Sequence, residues 1–116
     1  MTPLITQEQR ALLLANGARF ERDEDFDPPP VVKLFTPDGA ATWLLASLEP
    51  ECPDIAFGLC DLGFGCPEMG SVYLSEIAAL RGKLGLPVER DVHFRPNKSL
   101  SAYARDARRA GVIVTD

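Results

Sequence analysis

The chain has 116 residues, 46% of them hydrophobic and 25% charged, with a net charge of −5. This is the profile of one average globular domain, and it excludes low-complexity and collagen-like chains; no apolar run nears the roughly 18 residues of a membrane span. The charge is uneven: 13 Asp/Glu against 4 Lys/Arg through Glu76, then 4 against 8, so bulk nucleic acid is repelled and only the last third could attract it locally.

Met1 to Thr6 has neither the basic start nor the long apolar core of a signal peptide, and three cysteines suit a reducing compartment, so a cytoplasmic address is expected. Thr6-Gln7-Glu8-Gln9 is a capping box. It opens a helix expected to run to about Asn16, with Gly17 as its left-handed stop and Ala11, Leu12, Leu13 and Ala15 as its apolar side. The acidic run Glu21, Asp23, Glu24, Asp25 and Asp27 then leads into Pro28-Pro29-Pro30, the pattern of a solvated, extended connector.

Val31–Phe35 and Ala41–Leu48 read as two strands joined by the turn Pro37-Asp38-Gly39, with Gly39 expected in the left-handed region. The second strand is apolar on both faces, which predicts a central strand covered on both sides. Glu49–Asp54 reads as an acidic, Pro-rich break, and Ile55–Leu62 as a third strand. Its small residues Ala56, Gly58 and Cys60 predict close approach of another backbone or helix. Gly70–Leu74 is a short fourth strand. Ser75 caps a helix with Ile77, Leu80 and Leu84 inward, ended by Gly85 and Pro87, and Val88–Phe94 is a charged edge strand. Ser99 or Ser101 caps the last helix, which ends at Arg109 with Gly111 beyond it. Its inward residues are Leu100, Tyr103, Ala107 and Ala110. Together these elements predict a single α+β domain over residues 1–116, with a four- to five-stranded, mainly antiparallel sheet and about three helices.

Catalytic and metal signatures are weak. Cys52, Cys60 and Cys66 lack the short spacing of zinc knuckles, and His93 is the only histidine, so no metal or other cofactor is expected. No nucleophile elbow is present. An enzyme would have to gather Asp61, Glu68, Glu76 and His93 from distant positions. The loop Gly63–Gly70 lacks the Lys-Ser/Thr ending of a phosphate cradle, whereas Phe64, Glu68 and Met69 suit a protein contact. Arg81, Lys83, Arg90, Arg95, Lys98, Arg105, Arg108 and Arg109, with Phe94 and Tyr103, form the alternative, a nucleic-acid surface; Tyr103 falls on the apolar helical stripe, which favours packing.

With VVKLFTPDGAATWLL, DIAFGLCDLGFGCPEMG and SVYLSEIAALRGKLGLPVERDVHF in view, the chain resembles an uncharacterised family of small proteins carried on proteobacterial plasmids and integrative elements. The resemblance supplies no catalytic residue, cofactor or substrate. It implies accessory roles: conjugation, plasmid maintenance or blocking of host defence. The expectation is therefore a non-enzymatic protein that binds a host or element-encoded protein. Its expected contact surface is Phe64, Glu68 and Met69 together with Glu21, Asp23, Glu24, Asp25, Asp27, Glu49 and Glu51, whose carboxylates could act as a nucleic-acid mimic.

Overall fold

The computed structural model describes residues 4–115; Met1–Pro3, part of the segment read for a leader, lie outside them. Five strands, β1 (Val32–Phe35), β2 (Thr42–Glu49), β3 (Cys52–Asp61), β4 (Glu68–Tyr73) and β5 (Glu89–Arg90), form one sheet in the order β4-β3-β2-β1-β5. Every neighbouring pair is antiparallel. Helices α1 (Gln7–Arg22), α2 (Leu74–Ala79) and α3 (Leu100–Ala110) complete the α+β fold.

The apolar alternation of β2 separates two buried clusters. Trp43, Leu45 and Leu48 join Val32 and Leu34 of β1, Leu13 of α1 and Ile77 of α2 on one side. Leu44 and Ala46 join Leu59 of β3 and Leu100, Tyr103 and Ala107 of α3 on the other. The strand is covered on both sides, as its sequence predicts.

Helix α1 carries the first departure from expectation. Its capping box forms, with Thr6 and Gln9 each accepting the other's backbone N–H. The helix does not stop at Gly17 but continues to Arg22, and its buried residues are Leu13, Asn16 and Gly17, while Ala11, Leu12 and Ala15 are exposed. The reason lies in β2. Strand β1 pairs with it only as far as Val32 opposite Leu45, with one further bond from the Val31 amide to the Leu45 carbonyl. Beyond that point α1 packs on the β2 backbone itself. The Asn16 amide donates to the Ala46 carbonyl at 2.8 Å, and a Cβ on Gly17 would lie 1.9 Å from the Leu48 carbonyl oxygen. Gly17 is needed for close approach, not for a left-handed stop.

The turns differ from their sequence readings in instructive ways. Gly39 is absent from the positive-φ glycines. Instead the Thr36 hydroxyl accepts the Ala41 N–H at 2.9 Å, and a Cβ on Gly39 would crowd that hydroxyl at 2.9 Å. The acidic break shrinks to a turn at Pro50-Glu51, because β3 already begins at Cys52. Gly58 meets the expected close approach in the Leu44 carbonyl oxygen, 2.0 Å from where its Cβ would be.

Helix α2 is shorter than its apolar spacing predicts and does not reach Leu84, which is 80% exposed. Asp38, at the β1–β2 hairpin tip, accepts the amides of Leu84 and Leu86 at 2.7 and 3.3 Å and holds the segment as a loop. The expected fifth strand contracts to Glu89–Arg90, paired with β1 at the sheet edge. Helix α3 follows its reading, with Ser99 as N-cap and Gly111 left-handed at φ 75°, except that Ala104 is buried in place of Ala110. In Val112–Val114, which forms no strand, only Ile113 packs against the α3 cluster, and both valines are exposed.

Gly17→Ala separates the two roles of that glycine. In a helix interior free of close neighbours alanine would stabilise by about 1 kcal/mol. Against the Leu48 carbonyl, overpacking should instead destabilise by about 3 kcal/mol. Urea unfolding followed by Trp43 fluorescence measures the sign, and a variant as stable as the wild type would refute the packing role.

Candidate interaction surface

The loop between β3 and β4 is shaped from its base. Asp61 is almost fully buried at the end of β3, and its carboxylate accepts the Gly63 N–H at 2.9 Å and the Ile113 N–H at 3.1 Å. Gly63 and Gly65 take the left-handed region at φ 88° and 82°, a conformation glycine adopts without steric cost. The chain therefore turns tightly and raises Phe64 at its tip, 84% exposed, before buried Pro67 returns it to the sheet. Glu68 and Met69 follow, both exposed at the start of β4.

Pairing of β3 with β4 sets Ile55 opposite Tyr73, Phe57 opposite Ser71 and Leu59 opposite Met69, so these six share one face. Helix α3 covers Leu59 and packs beside Phe57. Met69 and Tyr73 are left exposed, on a strand that is itself the sheet edge.

A groove of about 390 Å³ opens where this face meets the end of α1. Its apolar lining includes Phe20, Ile55 and Phe57, with Ser71 beside them, and the carboxylate-bearing residues are Glu21 and Glu49. Phe20 stands edge-on to Phe57 at 6.0 Å and stacks obliquely on Phe26 at 5.0 Å, while the Arg19 guanidinium lies 4.0 Å over the Phe26 ring.

The expected acidic strip divides on inspection. Glu21 and Glu49, 28 positions apart, come together at the groove, and Glu51 sits exposed in the adjoining turn. Glu24 and Asp25 are exposed after α1. Asp23 is engaged with Arg19 at 3.7 Å and accepts the Asp25 amide. Asp27 is a structural fastener: it accepts both the backbone N–H and the hydroxyl of Ser101 in the first turn of α3. Desolvation alone would push its carboxyl up. The Ser101 bonds, with Ser99 and the charge of Arg105, outweigh that and hold it below its ordinary 3.8.

Other constellations are not assembled. Glu68 lies on β4 and His93 follows β5, at opposite edges of the sheet; four strand spacings of roughly 4.8 Å put them about 19 Å apart. Asp61 is occupied by the two amides, and Glu76 is exposed on α2. Among the described residues no three His, Cys, Asp or Glu gather as metal ligands. Burial pushes the Cys60 thiol up to about 11, away from thiolate chemistry. In the basic third, Tyr103 is buried against Phe94, and Lys98 pairs with Asp106 and lies 4.8 Å over the Tyr103 ring. Arg105, Arg108 and Arg109 are exposed on α3, without an exposed aromatic ring between them. Among the described residues, no helix is long and apolar enough to cross a membrane.

Sequence reasoning selected Phe64, Met69, Glu21 and Glu49, but missed Phe20, Ile55, Phe57 and Tyr73 as surface. The pattern of β4 pointed the other way: Met69, Ser71 and Tyr73 make its more apolar face, yet Gly70 and Val72 are the partly buried residues.

A family model described as "Protein of unknown function (DUF2958)" matches residues 4–114. No curated protein and no solved structure matches the chain.

Two substitutions test the anchoring carboxylates. Asp61→Ala leaves two N–H groups without their acceptor and should cost about 2–4 kcal/mol, with faster hydrogen exchange at Ile113; unchanged protection there would contradict the clamp. Asp27→Ala should cost about 1 kcal/mol at pH 7. Because the folded carboxyl is depressed, this contribution is complete above the unfolded value near 3.8 and lost as pH falls through the folded one. Denaturant curves of wild type and variant should therefore converge as pH falls below the folded value, and a gap that stays constant would disprove the linkage.

Proposed function

We propose that this chain, which belongs to the family of proteins of unknown function DUF2958, acts without catalysis of its own, by binding another protein. The observation that carries this reading is the surface formed by β4 and the loop before it. Phe64 stands at a rigidly turned tip, and Met69 and Tyr73 lie exposed on the adjoining strand. Apolar side chains grouped at the edge of a sheet and rimmed by carboxylates have the anatomy of a contact surface, with anchors at the centre and charge outside.

The setting we propose is an accessory role on plasmids and integrative elements of proteobacteria, in the cytoplasm, with a host or element-encoded protein as partner. Inhibition of a host defence protein is its concrete form. Nucleic-acid mimicry is not the version the surface supports best, since Asp23 and Asp27 are engaged within the fold and Glu21 and Glu49 line a groove with apolar walls. Direct nucleic-acid binding has less support than protein binding: buried Tyr103 offers no stacking face to the three arginines of α3.

The double substitution Phe64→Asp and Met69→Asp tests the surface. Both side chains are exposed, so stability should change by less than about 0.5 kcal/mol per site. Affinity capture from host extract, with wild type and variant compared by mass spectrometry, should show at least one host protein held by the wild type and lost from the variant. Identical captured sets would refute this surface as the contact.

A further inference from the structure

We propose that the groove between the end of α1 and the β2–β3–β4 face receives an arginine or lysine side chain from an extended segment of the partner protein. This deepens the binding reading above and rests on it. Three observations carry the chemistry. The groove, at about 390 Å³, has room for a long side chain, and its lining includes Phe20, Ile55 and Phe57. Among the described residues its only charged lining residues are Glu21 and Glu49, one on α1 and one at the end of β2, with no basic residue in the lining to neutralise them. The same aromatic series already holds a guanidinium internally: Arg19 lies 4.0 Å over Phe26, which packs on Phe20, which packs on Phe57.

A basic side chain satisfies each part of this site at once. Its aliphatic stem covers apolar surface, as long basic side chains do. Its charged head meets the negative face of an aromatic ring, an attraction that strengthens as water is displaced. The carboxylates of Glu21 and Glu49 then supply charge-assisted acceptors, and arginine's fork suits two of them better than lysine's single ammonium. An acidic or neutral polar side chain would leave the two glutamates repelled or unpaired, so the groove also discriminates against such partners.

Two capped pentapeptides distinguish charge from shape: Ala-Ala-Arg-Ala-Ala, and the same peptide with citrulline, which keeps the planar head but not the charge. In titrations of ¹⁵N-labelled protein at low salt, the arginine peptide should shift the amides of Phe20, Phe57 and Ser71. The citrulline peptide should bind at least about tenfold more weakly, and Glu21→Gln with Glu49→Gln should weaken the arginine peptide by a similar factor. Equal binding of the two peptides, shifts confined to other surfaces, or no shifts with the arginine peptide at about 10 mM would overturn the assignment. With a partner captured through Phe64 and Met69, the glutamine variant separates the two ideas. Loss of capture supports the groove. Retained capture leaves the protein-binding reading standing and removes the groove from it.

Discussion

The structure depends on one close contact, the packing of α1 directly on the backbone of β2. Strand β2 is central, but β1 pairs only with its first half. The second half would present bare carbonyls to a neighbour, and an unpaired buried carbonyl costs about 1–3 kcal/mol. Asn16 answers the Ala46 carbonyl, and Gly17 allows the helix axis to come within backbone distance of Leu48. Because α1 lies against this stretch and continues past it, its first half faces the cluster containing Trp43 while Phe20 reaches Phe57 beside α3. The helix thus belongs to both faces of the sheet, and the groove is the space left where it passes from one to the other.

The acidic surplus of the first two-thirds of the chain falls into two chemistries. Asp23, Asp27, Asp38, Asp54 and Asp61, like Asp91 in the last third, each accept a backbone N–H, four of them from residues more than 20 positions away. A short carboxylate side chain reaches backbone donors with little entropy to lose, which explains its use at turns and helix starts. The glutamates Glu21, Glu24, Glu49, Glu51, Glu68 and Glu76 make none of these bonds and stand at the surface. Acidity in this chain is therefore part scaffold and part display: within one acidic run Asp23 and Asp27 accept backbone N–H groups while Glu21, Glu24 and Asp25 stay exposed.

Much of the fold was legible because local chemistry decided it. The Thr6–Gln9 box, the strands around Pro37, and the last helix between Ser99 and Gly111 each carry their signals within a few residues. What failed was set by partners distant in sequence. Gly17 looks the same in a string of letters whether it ends a helix or admits a carbonyl from Leu48. The apolar spacing from Ile77 to Leu84 is a sound helical pattern, overridden by Asp38 binding the Leu84 amide from 46 positions away. The candidate surface was legible at Phe64, whose flanking glycines mark a turned loop. It was illegible at the groove, because only the wrapping of α1 brings Glu21 to Glu49.

Why two glutamates should border that groove is itself informative. Phe20, Ile55 and Phe57 are all partly buried, and larger side chains around them would cover what stays open. Closing such a surface typically stabilises by about 25 cal/mol for each Å² of apolar area removed from water. The chain instead places two exposed carboxylate-bearing residues, Glu21 and Glu49, in the lining with no basic residue beside them. A cation entering the groove would give both an opposite charge and give the rings a charge to face. On the proposed reading, the aromatic series from Phe26 to Phe57 serves recognition as well as packing, because the rings that join α1 to β3 also floor the groove between two carboxylates.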